Sequence, residues 1–520
     1  MCTKIPLLKN TLFTLISFSF FLIGCNNSGL DYTIETDVNP NKISPLTAML
    51  HIKTDKPCSI SVKVLGDIPV EQSSEVFDTD AKISVLGLYP NKLNKVEVTL
   101  DYEGGQQVDI IEIQTQQVPV FFPEIKVDKL DKEHMEPGMH ALDIHFANFG
   151  KFRSAPIIFD DQGNIRWYLD VSFHGAMVGP FQKIKNGNIL VAGRRTIYEF
   201  DMMGKQIDKT LISNNYGIHH DVLELPNEDL LLCVGTRDAY IEKDGKTILS
   251  DSDFMIHLDR KKSKVVKKWD LAKHLDVSRD DLNFFRGGDW LHMNALEFDP
   301  RDSTIIVSGR NQGLLKVSWN DQLKWIMSPK QNWGKSGRKG KGYETKPYLL
   351  TAVNNEGTPY SKDIQTGHKS ADDFDFPWGP HAPSLLPNGN IIVFDNGPFR
   401  NYNNVNNYSR AVEYEVNEAD KTFKQVWQYG KNRGVELFST IVSDVDYLPK
   451  TKNILMTSGF VSPKDNHRAK VVEVSTKDNT AVFEATIFFK STNKGSKPGW
   501  GQTDILYRSE RMELKNYDSY

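Results

Sequence analysis

His220-Asp-Val-Leu-Glu-Leu-Pro226, His292-Met-Asn294-Ala-Leu-Glu-Phe-Asp-Pro300 and His381-Ala-Pro-Ser-Leu-Leu-Pro387 share one layout. In each, an apolar strand-like run meets a turn of Pro, Asn or Asp, and a second apolar run follows: Leu230 to Val234, Thr304 to Val307 and Ile391 to Phe394. Such a unit is a β-hairpin. Six residues before each turn proline stand His220, Asn294 and His381. His292 lies two residues before Asn294 and so shares its face at the strand period of two. Imidazoles projected from one register of repeated units predict a ring of blades focused on one site.

The hairpin recurs from about residue 140, with turns at Asp161-Gln-Gly-Asn164, Asn186-Gly-Asn188, Asn227-Glu-Asp229, Pro300-Arg-Asp302, Asn388-Gly-Asn390 and Lys450-Thr-Lys-Asn453. Many units continue into a third and fourth strand, as in Met255-Ile-His-Leu-Asp then Val265 to Trp269, and Leu315-Lys-Val-Ser-Trp then Leu323 to Ile326. Four antiparallel strands in roughly 40 to 80 residues describe a propeller blade. The count points to about six, so residues 126–520 are read as an all-β, six-bladed β-propeller. Asn332 to Phe376 is the longest interruption, rich in Gly, Lys and Asp, and reads as a lid or rim loop, with disorder as the alternative.

Residues 25–125 read differently. Thr47-Ala-Met-Leu-His-Ile-Lys, Ile60-Ser-Val-Lys-Val-Leu, Ile83-Ser-Val-Leu-Gly-Leu-Tyr-Pro and Lys95-Val-Glu-Val-Thr-Leu are short alternating strands and predict an N-terminal β-sandwich domain. The Pro- and charge-rich stretch Val118 to Pro137 connects the two parts. Ahead of them, Lys4 and Lys9 precede an apolar stretch from about Leu12 to Ile23, shorter than the roughly 20 residues of a comfortable membrane span. The stretch ends in Leu22-Ile23-Gly24-Cys25, which resembles the bacterial lipobox. That resemblance implies removal of a signal peptide, residues 1–24, and acylation of Cys25; an uncleaved anchor or an ordinary signal peptide is the alternative. Asn26 and Asn27 then imply sorting to the outer membrane, facing the periplasm, with the lipid as the sole membrane contact.

Composition narrows the function. The 520 residues are 39% hydrophobic and 11% aromatic, enough for a large core and more than one domain. A net charge of -4, with Lys and Arg scattered rather than clustered, argues against nucleic acid as a partner. Cys2 would leave with the signal and Cys25 would carry lipid, so the mature chain keeps Cys58 and Cys233, read as buried free thiols.

In a propeller the first strand of each blade lines the central channel and the second returns to the same mouth. Arg310 closes the second strand of the His292 hairpin and should lie beside His292 and Asn294; Arg237 stands likewise beside His220, and Arg194 and Arg195 end the strand of the Asn186 hairpin. Imidazole, amide and guanidinium together suit a tetrahedral oxyanion, since Arg donates a bidentate pair and Asn and His add directed donors. Strand alternation turns His219 away from the channel if His220 faces it. A three-histidine metal site is the rival, but no carboxylate or thiolate repeats in register and Arg310 disfavours a cation, so no metal is expected.

Here the chain resembles the bacterial PAPS-independent aryl-sulfate sulfotransferases. The similarity runs from Asn39-Pro-Asn-Lys-Ile-Ser-Pro-Leu-Thr-Ala and Val85-Leu-Gly-Leu-Tyr-Pro through His219-His220-Asp221, Asp289-Trp-Leu-His292-Met-Asn294, Ser308-Gly-Arg310-Asn-Gln312 and Gly379-Pro-His381 to Tyr507-Arg508-Ser-Glu-Arg511. The resemblance implies ping-pong transfer of a sulfuryl group from a phenolic sulfate ester to a phenol, without a cofactor. His381 would be the nucleophile that becomes a sulfohistidine; Arg310, Asn294 and His292 would hold the sulfuryl oxygens; His220 would move the phenolic proton. Pro380 stands before His381 where relatives commonly carry glutamine. Phe376, Trp378 and Trp290 flank the site as aromatic candidates for stacking on a phenol, with core packing as their commoner use. A non-catalytic propeller lipoprotein binding phenolic or sulfated ligands, and an aryl sulfatase, are the competing classes; a homodimer stays open.

Overall fold

Short β-branched and aromatic runs punctuated by turn residues leave little room for helix. The computed structural model describes residues 21–24, 29–148, 151–172, 181–251, 253–281, 287–403, 405, 407–462, 467–490 and 502–516, so Cys25 lies outside the described residues. Among these, the one α-helix is Lys362–Gln365, and the rest is strand, turn and short 3-10 segments.

The N-terminal part is a six-stranded arrangement built on Ala48–Val64. The first half of that strand pairs with Tyr32–Val38 and the second with Leu93–Tyr102, while Val70–Val85 runs along its other edge with a register break between Lys53 and Cys58. A long strand that changes partner at a break is how one hairpin serves two layers. Its alternating residues Leu50, Ile52, Ile60, Val62 and Val64 point inward. Phe21–Gly24, the end of the expected leader, pairs with Tyr32 to Glu35.

Among the described residues six larger sheets follow along the chain, each an antiparallel set of four strands, two of them with a fifth strand added, beside a separate two-stranded hairpin of Tyr240–Lys243 and Lys246–Leu249. In the third, Tyr216–Glu224, Leu230–Thr236, Phe254–Asp259 and Lys264–Asp270 succeed one another; in the fourth, Met293–Asp299, Thr304–Gly309, Gly313–Ser318 and Leu323–Met327; in the fifth, Pro380–Leu385, Ile391–Asp395, Arg410–Asn417 and Thr422–Tyr429. Their turns are the Asn-rich ones: Asn388 Oδ1 accepts from the Asn390 N–H at 3.0 Å, and Gly389 between them takes φ +90°. The leading strands of the third, fourth, fifth and sixth sheets pack on one another in sequence. Both faces of each sheet are therefore covered, which is why Leu230 to Val234 is a continuous apolar run with every side chain at 0% exposure. Each such leucine contributes about 1.5–3 kcal/mol of burial.

Closure uses the two ends of the larger part. Ile505–Met512 joins Met139–Asn148 as the leading strand of the first sheet, and Glu124–Leu130 adds to Thr480–Phe488 at the outer edge of the sixth. The core of the N-terminal part continues into the first sheet. Arg166 crosses that seam: it donates to the carbonyls of Gly87 and Ile68, pairs with Asp160 at 3.0 Å and stacks over Tyr89 at 3.7 Å.

Asn332 to Phe376 is an ordered strap. Thr351–Ala352 pairs in parallel with Thr422–Tyr429, the outer strand of the fifth sheet, and Arg338 pairs with Asp253 and Asp270 of the third. No residue of it lines the cavity at His220 and His292, and backbone pairing holds part of it along an outer strand. Cys58 and Cys233 are buried free thiols. No helix among the described residues is long and apolar enough to cross a membrane.

Candidate functional site

The same irregularity interrupts the leading strand of three successive sheets. Register breaks fall between Ile218 and Val222, between Met293 and Ala295, and between His381 and Ser384. At these breaks His220, His292 and Ala382 take positive φ, at 57°, 49° and 47°. A bulge re-aims the side chains beside it, and a left-handed non-glycine residue stores strain of order 1–3 kcal/mol. Both features mark functional sites more often than plain strand does.

The breaks gather the histidines. The rings of His220 and His292 meet edge to face, centroids 4.8 Å apart and 70° between planes. His219 Nδ1 lies 3.0 Å from His220 Nδ1, so one donates to the other. Both imidazoles line one cavity of about 350 Å³ with His292, which corrects the expectation that His219 turns away: the bulge cancels the alternation. His292 Nδ1 donates to Asp289 Oδ2 at 2.6 Å. Arg310 is beside His292 as the spacing predicts, its backbone N–H donating to the His292 carbonyl at 3.1 Å. Its guanidinium donates to Thr440 O at 3.0 Å, and its stem packs on Gly379, two residues before His381.

Asn294 sits at the register break between Met293 and Ala295. Its side chain donates to Pro380 O at 2.8 Å, where Ser308 Oγ also donates, so it ties the fourth sheet to the residue before His381. Asn294 Oδ1 is buried with no partner among the described residues, a free acceptor at the site.

His381 is 4% exposed and held through Nδ1, which lies 2.6 Å from Asn396 Oδ1 and 3.2 Å from Gly379 O. The Asn396 amide is oriented by its own donations to Ser439 O at 2.8 Å and Val442 O at 3.0 Å. Both partners of Nδ1 are acceptors, so Nδ1 carries the hydrogen and Nε2 keeps the lone pair. Sequence reasoning missed Asn396, although a signal existed. It follows Ile391–Asp395 directly, as Arg310 follows Thr304–Gly309 and Arg237 follows Leu230–Thr236, so all three occupy one position in the repeat.

The electrostatics keep these rings neutral. Burial, then Arg310 and His292, hold His381 well below its ordinary value; burial, then His292, His219, His381 and Arg310, do the same for His220. Burial brings His219 down to about 4. Arg310, lowered by burial to about 10, stays charged at neutral pH. Beneath them Asp221 pairs with Arg508 at 3.0 Å and accepts from the Leu296 N–H, joining the third sheet to the first and fourth. Tyr507 stands 6.3 Å from His220, ring centre to ring centre. Trp290, Phe376 and Trp378 are core residues, with the indoles of Trp290 and Trp378 donating to Asp253 and Asp375 respectively. Among the described residues no group of three or more His, Cys, Asp or Glu is arranged to hold a metal ion.

Fold and site together define a propeller-like all-β protein with a histidine and arginine centre. The chain belongs to the arylsulfotransferase (ASST) family, whose profile matches residues 124–496, with the arylsulfotransferase Ig-like domain matching residues 35–118; it is a sulfotransferase. It is 27% identical to arylsulfate sulfotransferase AssT of Lelliottia amnigena over 82% of this chain and 84% of that protein. It is 26% identical to AssT of Escherichia coli O6:H1 (strain CFT073) over 79% and 82%. A solved structure, the Dos1 propeller, aligns at 8% identity and a TM-score of 0.28 over 76% of this chain and 89% of that one, a likeness too slight to carry an argument.

Proposed function

We propose that the chain moves a sulfuryl group from an aryl sulfate to a phenol in two steps through His381, without PAPS, and that its six sheets close as a six-bladed propeller around this site. The observation that carries the proposal is the pair of acceptors on His381 Nδ1, which leaves Nε2 as the nucleophilic nitrogen. In the first step Nε2 forms a bond to sulfur as the bond from sulfur to the aryl oxygen breaks, and the aryloxide departs with the electron pair. Positive charge developing on the imidazole is met by the Asn396 carbonyl oxygen. Arg310, the Asn294 amide hydrogen not given to Pro380, and His292 Nε2 when that ring is doubly protonated hold the sulfuryl oxygens.

In the second step a phenol oxygen attacks sulfur, the N–S bond breaks and His381 regains its lone pair. His220 takes the phenolic proton, supported by the edge contact with His292 and its partner Asp289. Burial holds the His220 pKa well below the ordinary value, so at neutral pH the ring is the neutral imidazole, with one nitrogen open to accept a proton. Splitting one displacement into two avoids holding both phenols at once. The lipobox-like ending at Cys25 supports export and lipid anchoring at the outer membrane, with catalysis in the periplasm; labelling cells with radioactive palmitate, with Cys25→Ser as control, tests it.

Incubation of the purified protein with an aryl sulfate, with and without added phenol, tests the reaction. Phenol-dependent aryloxide release supports transfer; equal release without phenol identifies a sulfatase; no release leaves only a binding role.

A further inference from the structure

The cavity at His219, His220 and His292 extends to three arginines that the two transfer steps do not use. Arg194 and Arg195 follow Ile189–Ala192 of the second sheet and Arg237 follows Leu230–Thr236 of the third, and all three line the same space of about 350 Å³. None of them makes an ion pair among the described residues. Arg194 and Arg237 are exposed and Arg195 half-buried at the open side of this space, so all three guanidiniums are within reach of a ligand. Two carboxylates, Asp251 and Asp289, also line the cavity; Asp289 is engaged by the His292 ring, and neither forms an ion pair with the three arginines among the described residues. Arg194 lies over Gly217, where a side chain would come within 3.3 Å of its Nε. The Thr236 hydroxyl, in the same wall, is shielded from water with no partner among the described residues, a cost that a ligand oxygen would remove. Tyr216 completes the wall with an aromatic face.

We infer that this cavity takes the aryl ring, and that Arg194, Arg195 and Arg237 bind a second anionic group on it. Preferred donors and acceptors are therefore phenols carrying a carboxylate, a sulfonate or a second sulfate on the side of the ring away from the reacting oxygen. The inference rests on the sulfuryl-transfer reading for the placement of that oxygen. Three guanidiniums with no ion-pair partner among the described residues favour an anion, and each can present two parallel donors to it. Asp251 and Asp289 in the same lining oppose a carboxylate, so a preference for the carboxylate over its ester reports on the arginines.

The test compares 4-(sulfooxy)benzoate with its methyl ester in the wild-type protein and in the variant R194Q/R195Q/R237Q, using the ratio of kcat/KM within each protein. Calorimetric binding of 4-hydroxybenzoate and of its methyl ester is measured alongside. The expected result is a carboxylate preference in the wild type that falls at least tenfold in the variant, with the binding preference falling in parallel. An equal ratio in the two proteins overturns the inference. If neither protein turns over, the transfer reading fails by itself: a wild-type binding preference lost in the variant then still supports the arginine pocket, and its absence overturns that too.

Discussion

Replacing Asn396 by alanine tests the arrangement at its most specific point. The Oδ1 of Asn396 accepts from His381 Nδ1 at 2.6 Å, and the charge that forms on the imidazole as sulfur bonds to Nε2 strengthens this contact. A hydrogen bond to a charged group is worth about 1.5–3 kcal/mol. At about 1.36 kcal/mol per decade of rate, its loss should slow the first step by roughly 10- to 150-fold. The two donations to Ser439 and Val442 are neutral and worth about 1 kcal/mol each, so folding should weaken by about 2 kcal/mol. That lies inside the usual 5–15 kcal/mol margin, and the variant should remain folded. Rapid-quench measurement of the aryloxide burst, with a urea melt on the same sample, separates the two effects. The loss should fall on the burst rate rather than on KM, and Asn396→Asp, which keeps an acceptor, should recover most of it. A folded Asn396→Ala protein with a burst rate within twofold of wild type would refute the reasoning.

Three further outcomes follow from the charges. Arg310 holds the His381 proton off, so Arg310→Gln should raise the His381 pKa and move the acid limb of the burst rate to higher pH, apart from any loss of rate; an unmoved limb contradicts the coupling. Arg508→Met leaves Asp221 buried without its cation and should cost about 3–5 kcal/mol in urea unfolding, whereas a cost under about 1 kcal/mol would mean that the pair holds nothing together. Burial lifts Glu297 to about 7, above its ordinary 4.5. Its ionisation therefore opposes folding as pH rises through that window, and Glu297→Gln, which can still accept from the Leu385 N–H, should raise Tm more at pH 8 than at pH 5.

The repeat was legible because turn chemistry and strand period are local. Asn186-Gly and Asn388-Gly mark hairpins, and the runs Leu230 to Val234, Thr304 to Val307 and Ile391 to Phe394 fall within observed strands. Arg310 stands beside His292, as its place at the end of the same hairpin predicts. What alternation could not foresee were the bulges, since one extra residue reverses the face of its neighbours: that is how His219 joined the cavity and Asn294 swung to Pro380. Closure also escaped local reading. The partners Thr480–Phe488 and Glu124–Leu130, or Ile505–Met512 and Met139–Asn148, lie hundreds of residues apart and carry no pattern that names each other.

The central claim is that sulfur passes through His381. Enzyme incubated with an aryl [35S]sulfate without acceptor, then digested at alkaline pH and mapped by mass spectrometry, should carry acid-labile label on the His381 peptide alone, and a pulse of phenol should discharge it. Enzyme that is active but unlabelled, or labelled elsewhere, or whose label phenol does not remove, would contradict the account.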